Sequence, residues 1–223
     1  MLNTPAATLP LFDEHTEALP AREVFAPGAL LLRGFALPVA AQLLHDVADI
    51  VAAAPLRHMT TPGGFRMSVA ITNCGALGWT SDRRGYRYAP RDPESGRPWP
   101  PMPASFLALA EAAAREAGYA DFFADACLVN RYAPGTRVTA HQDKNERDVA
   151  RPIVSVSLGL PATFQFGGLK RTDRMQRLPL SHGDVAVWGG ESRMAYHAVL
   201  PIKDGVHPAT GAARVNLTMR MAG

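Results

Sequence analysis

The chain has 223 residues, of which 47% are hydrophobic and 19% charged, so it can bury a core and is expected to form one compact domain rather than a disordered chain. No apolar run approaches the roughly 20 residues of a membrane span, and the N-terminus lacks the features of a signal peptide, which predicts a cytoplasmic protein without a membrane anchor. The net charge of +3 does not identify a partner. Cys74 and Cys127 are expected to be free thiols.

The N-terminal half is expected to contain a loosely ordered arm, two helices and long loops. Residues 1–24 carry three prolines without clear periodicity, which predicts the arm. Apolar residues recur at helical spacing over 38–54 and 103–117, which predicts two helices packed outside a sheet. The Gly-, Pro- and aromatic-rich segment 56–102 predicts hairpins and surface loops rather than core elements.

From Ala126 onward, short runs alternate between apolar and polar residues, a period of two that is typical of β-strands. The runs are ACLVNRY, TRVTAHQD, PIVSVSLGL, ATFQFGG, MQRLPL, DVAVW, AYHAVL and ARVNLTMR. Eight such runs predict a double-stranded β-helix, or jelly roll, with helices on its outside. The expected fold is therefore mainly β with flanking helices, an α+β chain with its jelly-roll core at 123–223.

His141 and Asp143 lie two residues apart on a predicted strand, so both side chains leave the same face and can bind one ion. Imidazole and carboxylate suit a divalent first-row metal, and His197 on a later predicted strand is the best-placed third ligand. Two histidines and one carboxylate form the open triad of non-haem Fe(II) oxygenases. For His197 alone, a half-buried strand histidine with satisfied hydrogen bonds is the simpler interpretation.

A second His-x-Asp pair, His182 and Asp184, flanks a glycine and is expected to form a hairpin turn instead of a metal site. Because such pairs arise by chance, the first pair needs support from elsewhere in the chain. The predicted C-terminal strand provides it.

On that strand, Arg214, Asn216, Thr218 and Arg220 share one face and alternate with apolar residues. Guanidinium groups bind carboxylates through two parallel hydrogen bonds, so this face suits a dicarboxylate whose other end chelates the metal. The polar, solvated face of an edge strand is the alternative interpretation.

Spaced motifs continue along most of the chain. In the predicted jelly roll they are N-R-Y-A-P-G (130–135), H-Q-D-K (141–144), S-V-S-L-G-L-P-A-x-F-Q-F-G-G (155–168), H-G-D-V-x-V-W-G-G-E-S-R (182–193) and R-x-N-L-T-x-R (214–220). Upstream they are T-P-G-G (61–64), S-V-A-x-T-N-C-G (68–75), L-G-W-T (77–80) and W-P-x-M-P-x-S-F (99–106). From about residue 22 to the end, the chain resembles the bacterial AlkB family, Fe(II)- and 2-oxoglutarate-dependent dioxygenases that repair alkylated nucleobases.

The resemblance implies that His141, Asp143 and His197 bind Fe(II), with 2-oxoglutarate and O2 as cosubstrates. The implied reaction is oxidative dealkylation of bases such as 1-methyladenine and 3-methylcytosine, releasing formaldehyde, succinate and CO2. The implied substrate is alkylated DNA, single- or double-stranded, or RNA. We expect one catalytic domain over residues 1–223, acting as a monomer.

The resemblance also assigns the 2-oxoglutarate site. Arg214 would pair with the distal carboxylate, helped by Asn130 and Tyr132 on a neighbouring strand. Arg220 would lie near the metal-bound carboxylate, and Asn216 would lend support. Without the resemblance, Asn130 and Tyr132 are better explained as a strand pair with satisfied polar tips.

In the family, the N-terminal part forms a lid over the nucleotide, which here corresponds to residues 25–122 with their helices. It supplies Trp79, Tyr86 and Tyr88, and Arg171 would lie across the site. Aromatic faces stack on unpaired bases at about 1–3 kcal/mol each, although packing within a hairpin is the alternative. Basic residues that either follow phosphates or are scattered surface charge are Arg83, Arg84, Lys170, Arg171, Arg174 and Arg177.

One position departs from the family pattern. After H-Q-D-K, a bacterial member of the family has an acidic residue facing the exocyclic amine of a cationic methylated base, whereas this chain has Asn145. An amide retains an acceptor but loses the negative charge, and it adds a donor for a keto oxygen. We therefore expect a shift toward neutral lesions such as 3-methylthymine or 1-methylguanine, unless Glu146 moves in as a substitute.

Two other functions are alternatives. One is an oxygenase of the same fold that acts on a protein side chain or a small molecule, against which the aromatic and basic lid argues. The other is a non-catalytic nucleic-acid-binding module, which would not need an open metal triad, since structural zinc prefers four closed ligands.

Overall fold

The computed structural model describes residues 21–223, and this part of the chain is mainly β-structure with two α-helices. The strands are β1 (Arg22–Ala26), β2 (Ala29–Leu32), β3 (Ala70–Gly75), β4 (Gly78–Asp82), β5 (Gly85–Ala89), β6 (Ala126–Tyr132), β7 (Val138–His141), β8 (Ile153–Gly159), β9 (Ala162–Phe166), β10 (Gln176–Leu180), β11 (Val185–Trp188), β12 (His197–Val199) and β13 (Arg214–Arg220). The helices are α1 (Ala40–Ala53) and α2 (Ala104–Glu116).

Two antiparallel sheets form the jelly roll. The larger sheet has the strand order β1-β2-β11-β8-β13-β6-β3, and the smaller has the order β10-β9-β12-β7. Side chains from both sheets form one buried core, which includes Leu31, Ile153, Phe164, Phe166 and Trp188. Each of the eight runs identified from Ala126 onward contains one strand, so the predicted jelly roll is confirmed.

Both predicted helices are confirmed, and they pack against the outer face of the larger sheet. Helix α1 buries Leu43, Val47 and Ile50, which recur at spacings of three and four residues and therefore share one stripe. This stripe and the buried residues of α2 form a core with outward-facing side chains of β8, β11 and β13. Within residues 21–223, neither helix is long and apolar enough to cross a membrane.

Two predictions from the sequence are wrong: the end of the N-terminal arm and the content of segment 56–102. Residues 22–24, assigned to the arm, belong to β1, which pairs with β2. Residues 1–20 of the predicted arm lie outside the described residues. The segment 56–102, expected to hold no core elements, contributes β3, a buried strand paired with β6. Its pattern is misleading because the polar residues Thr72 and Asn73 are buried and their side chains are hydrogen-bonded.

Strands β4 and β5 form a separate hairpin beside β3. Glycine at position 78 permits this contact, because a Cβ there would lie 2.3 Å from the Trp99 indole and 2.9 Å from the Asn73 Cβ. The Asn73 amide donates to the Trp79 carbonyl and accepts from the Trp79 N–H, both at 3.0 Å. The hairpin is therefore anchored to the larger sheet at its tryptophan.

Cys74 and Cys127 lie opposite each other on β3 and β6 and are buried free thiols, as predicted. Burial is the main cause that raises the pKa of Cys127. A thiol that stays protonated and buried is a poor nucleophile, so Cys127 serves as a small core residue.

Replacing Leu43 with alanine tests the α1 contact. Leu43 is fully buried, so Leu43→Ala should lower the free energy of unfolding by about 2–5 kcal/mol through lost burial and a residual cavity. Leu169→Ala is the matched control, because Leu169 is 58% exposed and should change the free energy by less than about 0.5 kcal/mol. Urea denaturation measures both, and equal losses would contradict the packing described above.

Candidate active site

The structure brings His141, Asp143 and His197 together. His141 is the last residue of β7 and His197 the first of β12, and the two face each other in the antiparallel pair. Asp143 lies on the loop that leaves β7, so its predicted place on the strand with His141 is wrong, but its two oxygens still lie 3.7 Å from the Nε2 atoms of His141 and His197. All three ligand atoms lie within 4.8 Å of one another, and residues 21–223 contain no other metal-ligating group of this kind.

Backbone carbonyls fix the tautomer of both histidines. Nδ1 of His141 lies 2.9 Å from the Thr139 carbonyl, and Nδ1 of His197 lies 3.0 Å from the Ala195 carbonyl. A carbonyl can only accept, so each Nδ1 carries the hydrogen and donates it. Each Nε2 is therefore left with its lone pair directed toward the other ligands, which is the form that binds a metal.

Electrostatics keep Asp143 ionised and His197 neutral. Burial opposes the charge on Asp143, but Arg220 and the two histidines outweigh it and hold the pKa of this carboxyl well below its usual range. Burial, together with His141, lowers the pKa of His197 to about 4. At neutral pH the site thus offers one carboxylate and a neutral imidazole, as a divalent metal requires.

The donor set fits Fe(II). Two imidazole nitrogens and one carboxylate on one side of an ion leave positions open for further ligands, unlike the closed four-ligand shell of structural zinc. Arg220 donates from Nη2 to Asp143 Oδ2 at 2.6 Å, so it orients the carboxylate ligand. In this structure, Arg220 therefore contacts the Asp143 carboxylate, whereas the resemblance placed it near the metal-bound carboxylate of 2-oxoglutarate.

The predicted 2-oxoglutarate residues share one face of the larger sheet. Arg214 is opposite Tyr132, and Asn216 is opposite Asn130, in the pairing of β13 with β6. The Arg214 guanidinium carbon lies 4.9 Å from the centre of the Tyr132 ring, and Nη2 donates to Ser157 Oγ at 3.0 Å. Asn216 bonds to Asn130 and to the Val156 carbonyl, so its amide supports the sheet.

Arg214 has unused donors. The residue is 1% exposed, and its Nε and Nη1 atoms have no hydrogen-bond partner within residues 21–223. A buried guanidinium with orphaned donors is costly, and a carboxylate is an acceptor of opposite charge that can satisfy them. Burial raises the pKa of Tyr132; the positive charge of Arg214 lowers it and the negative charge of Asp143 raises it further. Tyr132 therefore lies near both charged groups. These contacts fit the distal carboxylate of 2-oxoglutarate.

The hairpin presents Trp79, Tyr86 and Tyr88 on one face, because Trp79 is opposite Tyr88 and diagonal to Tyr86. The Trp79 and Tyr86 rings stack with centres 5.5 Å apart and planes at 15°. Tyr86 is 45% exposed, whereas the Tyr88 hydroxyl donates to Glu146 Oε1 at 2.8 Å. Tyr86 is thus available for contact with a flat ligand, and Tyr88 bonds to the loop beyond Asp143.

Asn145 and Glu146 play different roles on that loop. The Trp79 indole N–H donates to Asn145 Oδ1 at 3.2 Å. An indole N–H can only donate, so the amide oxygen of Asn145 is fixed toward Trp79 and its NH2 group is directed elsewhere. Glu146 is buried, with its oxygens 3.1 Å from Arg193 and 3.2 Å from Arg220, so this carboxylate is not free to replace Asn145.

Arg171 lies on the turn between β9 and β10. Its guanidinium carbon lies 5.9 Å from the centre of the Tyr196 ring, and the side chain is exposed. Arg171 therefore contacts the residue that immediately precedes His197 in the chain.

Sequence reasoning did not assign roles to Ser157 and Arg193. Ser157 supports Arg214, and buried Arg193 bonds to the Asp143 carbonyl. Both lie inside recognised motifs, but a serine and an arginine among such residues carry no separate chemical signal. His182 and Asp184 have the predicted structural role: Asp184 pairs with Arg33 at 3.0 Å, and His182 accepts the Gly159 N–H. The expected hairpin is wrong, because this turn joins β10 and β11, which belong to different sheets.

Comparison with known proteins agrees with this geometry. Residues 28–220 match the family model described as the 2OG-Fe(II) oxygenase superfamily. The alpha-ketoglutarate-dependent dioxygenase AlkB of Escherichia coli is 57% identical over 96% of this chain and 99% of that protein, and the AlkB homolog of Caulobacter vibrioides is 45% identical over 76% of each. The solved structure of OsALKBH1 superposes with a TM-score of 0.79 at 26% identity, covering 89% of this chain and 99% of that one. The chain therefore belongs to the AlkB family of Fe(II)- and 2-oxoglutarate-dependent dioxygenases.

Proposed function

We propose that this protein removes alkyl groups oxidatively from N-alkylated nucleobases in DNA or RNA. The relatives carry matching names: besides AlkB itself, a Schizosaccharomyces pombe protein named tRNA demethylase abh1 is 41% identical over 34% of this chain, and the mouse nucleic acid dioxygenase ALKBH1 is 36% identical over 47%. The observation that carries the proposal is the open His141, Asp143 and His197 triad beside an aromatic hairpin.

Bound iron, with 2-oxoglutarate and O2, supplies the oxidising power to hydroxylate an N-methyl carbon, which is then lost as formaldehyde. His141 and His197 hold the metal through Nε2, and Arg220 orients the Asp143 carboxylate. Arg214, beside Tyr132, binds the distal carboxylate of 2-oxoglutarate. None of these residues needs to act as a nucleophile or a general base.

The chain's other residues select and orient the base. The target base leaves its stack, as enzymes acting on bases require, and lies against Trp79 and Tyr86. Asn145 faces the base with its amide NH2, and the exposed Arg171 binds a phosphate. This surface of aromatic rings, one amide and one exposed arginine is better matched to a nucleotide than to a protein side chain.

We also propose that the protein acts as a monomer in the cytoplasm and that residues 1–223 form one catalytic domain. The buried free thiols of Cys74 and Cys127 are suited to a reducing compartment.

Removing a histidine ligand tests the metal site. His141→Ala should abolish formaldehyde release from a 3-methylcytosine oligonucleotide, because two remaining ligands hold Fe(II) poorly, while the half-exposed side chain leaves no core cavity. His45→Ala is the matched control, since His45 is exposed on α1 and should retain full turnover. Retained turnover in His141→Ala would overturn the ligand assignment.

Truncating Arg214 tests the cosubstrate site. Arg214→Ala should raise the KM for 2-oxoglutarate about 30-fold or more, because losing a buried charged partner costs about 2 kcal/mol or more. Arg131→Ala is the control: Arg131 alternates with Asn130 and Tyr132 on β6, is exposed, and should leave this KM unchanged. A similar KM in both variants would count against the role of Arg214.

Substitution of Asn145 tests base selection. Asn145→Asp should raise the turnover of 3-methylcytosine relative to 3-methylthymine about ten-fold, or about 1.4 kcal/mol, because a carboxylate pairs with a cationic base whereas the amide NH2 pairs with a keto oxygen. Gln42→Glu adds one negative charge on exposed α1 and controls for charge alone. An unchanged ratio in Asn145→Asp would show that this position does not rank the lesions.

A further inference from the structure

The carboxylate ligand lies on an irregular loop, unlike the two histidine ligands. His141 and His197 are held by the pairing of β7 with β12. Residues 142–152, which carry Asp143, Asn145 and Glu146, contain no strand or helix. The backbone of this segment therefore lacks the ladder of hydrogen bonds that fixes a strand, and something else must hold Asp143 at the metal.

Arg193 makes contacts along this loop. Its Nη1 donates to the Asp143 carbonyl at 2.7 Å, and its Nε donates to the Arg151 carbonyl at 2.6 Å. Its Nη2 lies 3.1 Å from Glu146 Oε2. One guanidinium thus connects the beginning, the middle and the end of the loop.

The position of Arg193 makes these contacts rigid. The side chain is 2% exposed and follows the single-turn 3₁₀ helix Gly190–Ser192, four residues before His197. A buried guanidinium is planar, and hydrogen bonds to a charged donor are stronger than neutral ones. Arg193 therefore ties the loop bearing Asp143 to the chain that leads into His197.

Glu146 completes the connection. It lies between Arg193 and Arg220, and Arg220 bonds to the Asp143 carboxylate. Asp143 is thus held twice, at its backbone by Arg193 and at its side chain by Arg220.

We propose that Arg193 is the positioning residue for Asp143 and that it sets the metal affinity of the site by holding the 142–152 loop. Arg193 does not touch the metal; it acts through the Asp143 backbone. The proposal rests on the assignment of Asp143 as a metal ligand in the proposed function.

The test is Co(II) binding, which reports on ligand geometry without turnover. Arg193→Lys keeps the charge, but one ammonium group cannot reach the same three oxygen atoms. We expect Co(II) to bind Arg193→Lys about ten-fold or more weakly than the wild type, as for other groups that orient a ligand, with altered visible absorption bands. Unchanged affinity and absorption would overturn the proposal.

Arg33→Lys is the matched control. Arg33 is also largely buried, and its guanidinium contacts the Pro179 carbonyl, Asp184 and Glu23 away from the metal site. Arg33→Lys should lower the melting temperature yet leave the Co(II) affinity unchanged. An equal loss of Co(II) affinity in both lysine variants would mean that Arg193 acts through general stability, and would overturn its positioning role.

Two further measurements keep the outcomes distinct. Asp143→Ala tests the ligand assignment itself. Wild-type Co(II) affinity in this variant would contradict both the proposed metal site and the role of Arg193. If Arg193→Lys does not fold, Arg193→Ala is titrated with methylguanidinium, which can occupy the vacated position. Co(II) affinity that rises with methylguanidinium supports the proposal, and affinity independent of it contradicts the proposal.

Discussion

The active site depends on keeping Asp143 buried and charged. A buried carboxylate is unfavourable unless it is paired and hydrogen-bonded, and here Arg220 supplies that pairing at 2.6 Å. Arg220 is itself buried, which opposes its charge, but the Asp143 and Glu146 carboxylates outweigh burial and raise the pKa of its guanidinium. Glu146 and Arg193 extend the same pairing outward. Arg193, Arg220, Asp143 and Glu146 therefore form a buried cluster of two positive and two negative charges. Each charge lies beside an opposite one, which offsets the cost of burying it.

Strand β13 connects this cluster to the rest of the fold. It lies inside the larger sheet, between β8 and β6, and every one of its residues is buried. Val215, Leu217 and Met219 face the core shared with the helices, whereas Arg214 and Arg220 face the site. Because the side-chain period of a strand is two, a shift of one residue in register would exchange these faces and destroy core and site together. Stability and chemistry therefore constrain the same seven residues.

The sequence predicts the parts of this protein that depend on periodicity or on metal chemistry. The alternation after Ala126 and the helical spacing around Leu43 predict the strands and helix found there. The ligand chemistry of His141 and Asp143 predicts their shared site, although Asp143 lies beyond the strand and not on it. Strand β3 was missed because its buried polar residue Asn73 breaks the apolar pattern in order to bond to the hairpin. The role of Arg193 could not be predicted for another reason: it depends on a contact between residues 50 apart, which only the folded chain brings together.

The loop beyond Asp143 shows why such distant contacts matter. Trp79 and Tyr88 face each other across the β4–β5 hairpin and bond to Asn145 and Glu146, two successive residues of that loop. A regular strand would send these two side chains to opposite faces, so one hairpin face could not bond to both. The irregular backbone is therefore what allows the aromatic surface and the metal ligand to meet on one short segment. It also removes the backbone ladder, which is why charged side chains must hold the segment in place.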